Sequence, residues 1–93
     1  MISSTSDARK LLEKYNFQQR PTHHFMYALY YNEKLILMSR VSHGDKQIPP
    51  SIIQEIRKQM KLTSRQFQEA SSCTLTRDQY IVILRSKGLI TED

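Results

Sequence analysis

The chain has 93 residues, of which 39% are hydrophobic and 25% charged, with 14 Lys and Arg against 9 Asp and Glu for a formal net charge of +5. These proportions exclude a disordered chain and a coiled coil, and the length leaves too few apolar residues for a second independent core, so a single domain over residues 1–93 is expected. The basic residues are spread along the chain rather than gathered in a tail, which favours a polyanionic partner.

No stretch approaches the roughly 18 apolar residues of a membrane span, and the first residues are polar and rich in Ser and Thr, unlike a secretory leader. The single cysteine, Cys73, has no partner for an internal disulfide and is too little for a structural zinc site. A cytoplasmic protein without membrane attachment is the expectation, with Cys73 a small, half-buried hydrophobe rather than a nucleophile.

From about Ser6 to Tyr15, Ala8, Leu11, Leu12 and Tyr15 recur at helical spacing between charged residues, and Thr5, Ser6 or Asp7 can cap the start. Pro21 then argues against a continuous helix, so residues 17–22 form a loop or a short edge strand. His23 to Tyr31 and Leu35 to Val41 read as two antiparallel strands joined at Asn32-Glu33, a pair in which Asn32 accepts the positive φ of a tight turn. With a two-residue loop, Tyr31 pairs Lys34, His24 lies opposite Val41, and His43 falls diagonally beside it. In that register His23, Phe25, Tyr27 and Leu29 share a face with Ile36 and Met38, and Met26, Ala28 and Tyr30 share the other with Leu35, Leu37 and Val41. Both faces are apolar, so helices can cover one and the second calls for a partner, a dimer mate or the C-terminal helices.

Residues 42–50 form a loop ending in Pro49-Pro50, which suits the first turn of a helix whose stripe is Ile52, Ile53, Ile56 and Met60, with Arg57, Lys58 and Lys61 off it. Thr63 with Gln66 and Thr76 with Gln79 have the form of capping boxes and start two more helices, marked by Phe67 and Ala70 and by Tyr80, Ile83 and Leu84. Gly88 supplies the last stop.

The three histidines, His23, His24 and His43, are drawn together by the hairpin. A histidine beside a ribose can deprotonate the 2′-hydroxyl and send it against the adjacent phosphate without a metal, while a second histidine, Lys or Arg stabilises the pentacovalent phosphorus. From spacing alone, a strand-filling histidine and a loop-capping one account for the same pattern. Zinc is disfavoured, because adjacent strand residues such as His23 and His24 point to opposite faces. The aromatics Phe25, Tyr27, Tyr30 and Tyr31 could stack on bases, but a protein contact is the commoner use of such a stripe.

The order of an amphipathic helix, Pro21-Thr22-His23-His24-Phe25-Met26-Tyr27, a hairpin, Ser42-His43-Gly44-Asp45-Lys46-Gln47-Ile48-Pro49 and the helix from Ile52 to Met60 resembles the HicA toxin family over about residues 7 to 62. That family's hallmark is Gly-Ser-His, often with a second His, at the start of its second strand, and an aromatic three residues beyond the active His. Thr22 stands in for the serine and Pro21 for the glycine, and with His24 as the active residue Tyr27 takes the aromatic position.

The resemblance implies an α+β fold of helix, three antiparallel strands and helix, like a double-stranded-RNA-binding domain, over residues 1–62, with 63–93 as a C-terminal helical extension. It also implies an endoribonuclease acting on mRNA and held by a cognate antitoxin, without cofactor or metal. His24 would be the general base, with His23 and His43 as further catalytic candidates and Arg20, Lys34, Arg40, Lys46, Arg57 and Lys58 on the RNA-binding surface. The alternative is a non-catalytic RNA-binding or protein-interaction module on the same fold, and a homodimer is a further partner that the two apolar faces allow.

Overall fold

Ser4, in extended conformation, caps the first helix by accepting a hydrogen bond from the Asp7 N–H at 3.2 Å, one residue before the first of the expected caps, so α1 runs over Thr5–Lys14. The structure, a computed structural model, describes residue 2 and residues 4–20, 23–41 and 47–90, with the backbone alone at 23–25. Among these residues the order is α1, β1 (Gln18–Arg20), β2 (His23–Tyr31), β3 (Lys34–Arg40), α2 (Pro50–Gln59), α3 (Ser64–Ser71) and α4 (Arg77–Ser86). The fold is α+β, with one antiparallel sheet in the order β1-β2-β3.

The chain leaves α1 through Asn16, at φ 72°, with the Asn16 N–H donating to the Glu13 carbonyl and the Phe17 N–H to that of Leu12. This Schellman ending turns Phe17 into the core and delivers the chain to the edge strand β1. All four helices end in this way, through Asn16, Lys61, Cys73 and Gly88, each with positive φ. Only the last is a glycine. The same geometry corrects the expectation for Cys73, whose side chain is exposed because it sits in the left-handed residue that closes α3.

Asn32 and Glu33, at φ 51° and 67°, form the two-residue turn between β2 and β3, with Tyr31 opposite Lys34 as expected. Beyond Tyr30, which faces Leu35, the register slips: Leu29 faces Leu37, Tyr27 faces Ser39 and Met26 faces Arg40. Ile36 is therefore an extra residue on β3, a bulge. Continuing this register sets residue 25, not His24, across from Val41, which corrects the expected pairing.

The bulge has a physical reason. Without it Arg40 would fall on the face of Tyr27 and Leu29, where an unpaired charge would be buried. With it, Tyr27, Leu29, Leu37 and Ser39 share the inner face, all of them buried, while Met38 and Arg40 move to the outer one. Buried Ser39 is satisfied from α2: its hydroxyl donates to Gln59 Oε1 at 2.8 Å, and the Arg40 N–H donates to the same oxygen at 3.0 Å.

The inner face is covered by helices. Ile56 and Met60 of the expected α2 stripe are fully buried and Ile52 and Ile53 partly so, and Arg85 of α4 donates to the Tyr31 hydroxyl at 3.2 Å. Both expected capping boxes are formed, Thr63 with Gln66 and Thr76 with Gln79. The C-terminal helices share the core with the preceding elements, since Phe67, Ala70, Leu75, Tyr80, Leu84 and Ile90 belong to the same buried cluster as Leu12, Tyr27 and Ile56.

Candidate nucleic-acid interface

The outer face of the sheet is exposed in part, and its composition departs from the rest of the described surface. Register brings Gln18, Met26, Tyr30, Met38 and Arg40 to it, with Leu35 opposite Tyr30, while Arg20, which pairs with His23 beyond an irregularity after Gln19, reaches it through its bond to the Tyr30 hydroxyl. Four large hydrophobic side chains are exposed among the described residues, and three of them, Tyr30, Leu35 and Met38, are here, at 38%, 48% and 36% exposure. The fourth, Val82, lies on α4. The three strands contain no Asp or Glu, so the arginines of this face face no carboxylate from the sheet.

Arg20 Nη1 donates to the Tyr30 hydroxyl at 3.0 Å, a bond along the face that joins β1 to β2. Between those positions lies Ala28, flanked in register by Gln18 and Met38 and without exposed surface. Tyr30 is thus held by its hydroxyl while the residue stays exposed. Burial lifts the phenols of Tyr27, Tyr15 and Tyr80 above their ordinary pKa, with Arg9 opposing the shift at Tyr27, so they stay neutral at physiological pH.

The structure brings together only part of the expected site. Arg20 and Arg40 share the outer face, on opposite edge strands. Lys34 stands at the hairpin, paired with Tyr31 and so in step with the covered face. Arg57 is engaged by its own chain, donating from Nε to Gln54 at 2.7 Å and from Nη1 to the Leu62 carbonyl at 2.8 Å, and Lys58 is exposed beside it. Arg57 also lines a groove between α2 and α3 with Ile53, Arg65 and Phe67, to which no strand residue contributes.

His23 and His24 open β2, with His23 paired to Arg20 beyond the irregularity in the β1–β2 register. His43 and Lys46 lie outside the described residues, so the expected approach of His24 to His43 does too. No cluster of His, Cys, Asp and Glu fit to hold a metal occurs among the described residues. Sequence reasoning missed the Arg20–Tyr30 bond and the Gln59 clamp on β3. Neither has a local signal, because each joins residues brought together only by the sheet register or by helix docking.

Comparison with known protein families, with curated proteins and with solved structures found no match to this chain. The fold and the face define an α+β chain with an open, basic and partly apolar sheet surface. Among the described residues no helix is long and apolar enough to cross a membrane.

Proposed function

We propose that this chain binds RNA through the open face of its sheet. One observation carries the reading: Arg20 and Arg40 flank the exposed Tyr30, Leu35 and Met38 on a sheet whose strands hold no carboxylate. Cations along a groove or face attract phosphates from a distance, and an aromatic set between them takes a base. Neutralising phosphates releases counterions, so affinity for RNA should fall steeply as salt rises. Fluorescence anisotropy of a labelled RNA across a salt series tests this, with the Arg20→Glu, Arg40→Glu double variant expected to lose at least about tenfold in affinity at low salt. Salt-independent binding, or a double variant that binds like the parent, would refute the reading.

A second reading adds chemistry to the same surface, as the HicA resemblance implies. It is supported by the place of His24 at the start of β2, the strand that also carries Tyr30. As general base, His24 takes the proton of a 2′-hydroxyl, the resulting oxyanion attacks the neighbouring phosphorus, and the 5′-oxygen leaves with a proton supplied by a second group. His43 and Lys46 are the candidates for that second group, and His23 is the alternative base. The target would be cytoplasmic mRNA, and a cognate antitoxin would silence the protein by covering the face. Cleavage in the presence of a chelator, leaving 2′,3′-cyclic phosphate ends, tests this second reading.

A further inference from the structure

We infer that the open sheet face takes RNA as a single strand, with a base stacked on Tyr30, rather than as an A-form duplex. This rests on the reading of the face as an RNA contact surface and names the form of RNA that fits it. A duplex keeps its bases paired and stacked inside and offers a protein mainly phosphates and 2′-hydroxyls across a shallow groove. Such a partner leaves exposed apolar side chains uncovered. Here the apolar groups are the main feature of the face, since three of the four exposed large hydrophobics of the described surface sit on it and only two arginines accompany them. The apolar partner that also brings phosphates is an unstacked strand, whose base faces cover Tyr30, Leu35 and Met38 while its backbone meets Arg20 and Arg40.

The local geometry suits this partner. Alternate residues along a strand are about 7 Å apart, and sheet surfaces that bind RNA stack successive bases on residues so spaced. The bond from Arg20 to the Tyr30 hydroxyl restrains the ring and uses one of the five donors of the guanidinium. A second copy of this chain is the competing occupant. A two-fold pairing of these faces would set arginines against arginines with no strand carboxylate to offset them, whereas a nucleic acid supplies the missing negative charge.

Anisotropy titrations with a labelled RNA strand of about 12 nucleotides lacking self-structure, alone and annealed to its complement, test the inference. The single strand should bind at least about tenfold more tightly than the duplex, and Tyr30→Ala should remove most of that preference. Tyr30→Phe keeps the ring and should stay within about threefold of the parent. Should Tyr30→Ala fail to fold, Leu35→Gln with Met38→Gln, at positions already exposed, should lower single-strand affinity in the same direction. Equal or tighter duplex binding, with Tyr30→Ala neutral, overturns the single-strand assignment while salt-dependent binding still upholds RNA as the partner. No binding of either probe overturns both. A parent dimer in sedimentation that Tyr30→Ala dissociates, with RNA affinity unchanged, assigns the face to self-association and overturns the inference as well.

Discussion

The hydroxyl of Tyr80 donates to the carbonyl of Met60 at 2.8 Å, so the buried centre of α4 closes the C-terminal end of α2. The same ring meets Tyr15 edge-on, with centroids 5.2 Å apart, and Tyr15 in turn donates to the Leu75 carbonyl at 2.6 Å. Two phenols thus bind α1, α2 and the α3–α4 connection into one buried junction.

Tyr80→Phe keeps the packing but leaves the Met60 carbonyl without its partner in a buried site. The expected loss is about 1–3 kcal/mol, read from the urea unfolding midpoint. Tyr80→Ala, which also opens a cavity, should cost about 3–5 kcal/mol. A Phe variant within about 0.3 kcal/mol of the parent would mean that the bond contributes nothing net.

Burial raises the pKa of both Tyr15 and Tyr80 above the ordinary value of 10.0, the neighbouring phenol adding to the rise at Tyr80 and Lys14 opposing it at Tyr15. The folded chain therefore holds these protons more tightly than the unfolded one. Their contribution is fully present below pH 10 and is lost as the pH climbs above it, since the unfolded chain releases the protons first. Unfolding midpoints measured from about pH 8 to about pH 12 should be level at first and then fall, with a shallower fall in Tyr80→Phe. Identical alkaline slopes for the two proteins would show that Tyr80 does not drive the loss.

Glu33 occupies the second left-handed position of the β2–β3 turn, at φ 67°, where a side chain is strained and glycine is not. Glu33→Gly creates Asn-Gly, the preferred pair for this turn, and should raise stability by about 0.5–1 kcal/mol in thermal or urea unfolding. A destabilised variant would mean that the Glu33 side chain holds the hairpin in some other way.

If the chain cleaves RNA, His24→Ala should lower the rate by about two to four orders of magnitude while leaving the fold, seen by circular dichroism, intact. His23→Ala is the comparison. Loss of cleavage in His23→Ala with His24→Ala active would move the base one residue along β2, and full activity in both would remove the histidine mechanism.

Local chemistry was the legible part of this chain. Thr63 with Gln66 and Thr76 with Gln79 announce helix starts because each pair satisfies backbone donors within one turn, and Asn32-Glu33 marks a hairpin because Asn tolerates left-handed φ. The bulge at Ile36 was not legible, since it is decided by where Arg40 must go once helices cover one face. That single residue regroups the sheet, moving Met38 and Arg40 out and Leu37 and Ser39 in. The candidate site suffered most, because which cations share a face with Tyr30 depends on register and not on spacing. Helix endings at Asn16, Lys61 and Cys73 escaped notice for another reason: only glycine advertises a left-handed residue, and other side chains adopt that conformation when the following residue has a core to enter.

The shared core also bears on how the chain is made. Residues of α1 and the sheet share their buried cluster with Tyr80, Leu84 and Ile90, which follow them by many residues in the sequence. During synthesis, the early helix and hairpins emerge with the surfaces meant for α4 still bare, and their closure waits for α4 to emerge from the ribosome. A nascent chain paused before α4 would display Tyr15 and Phe17, the rings that Tyr80 packs against, to chaperones.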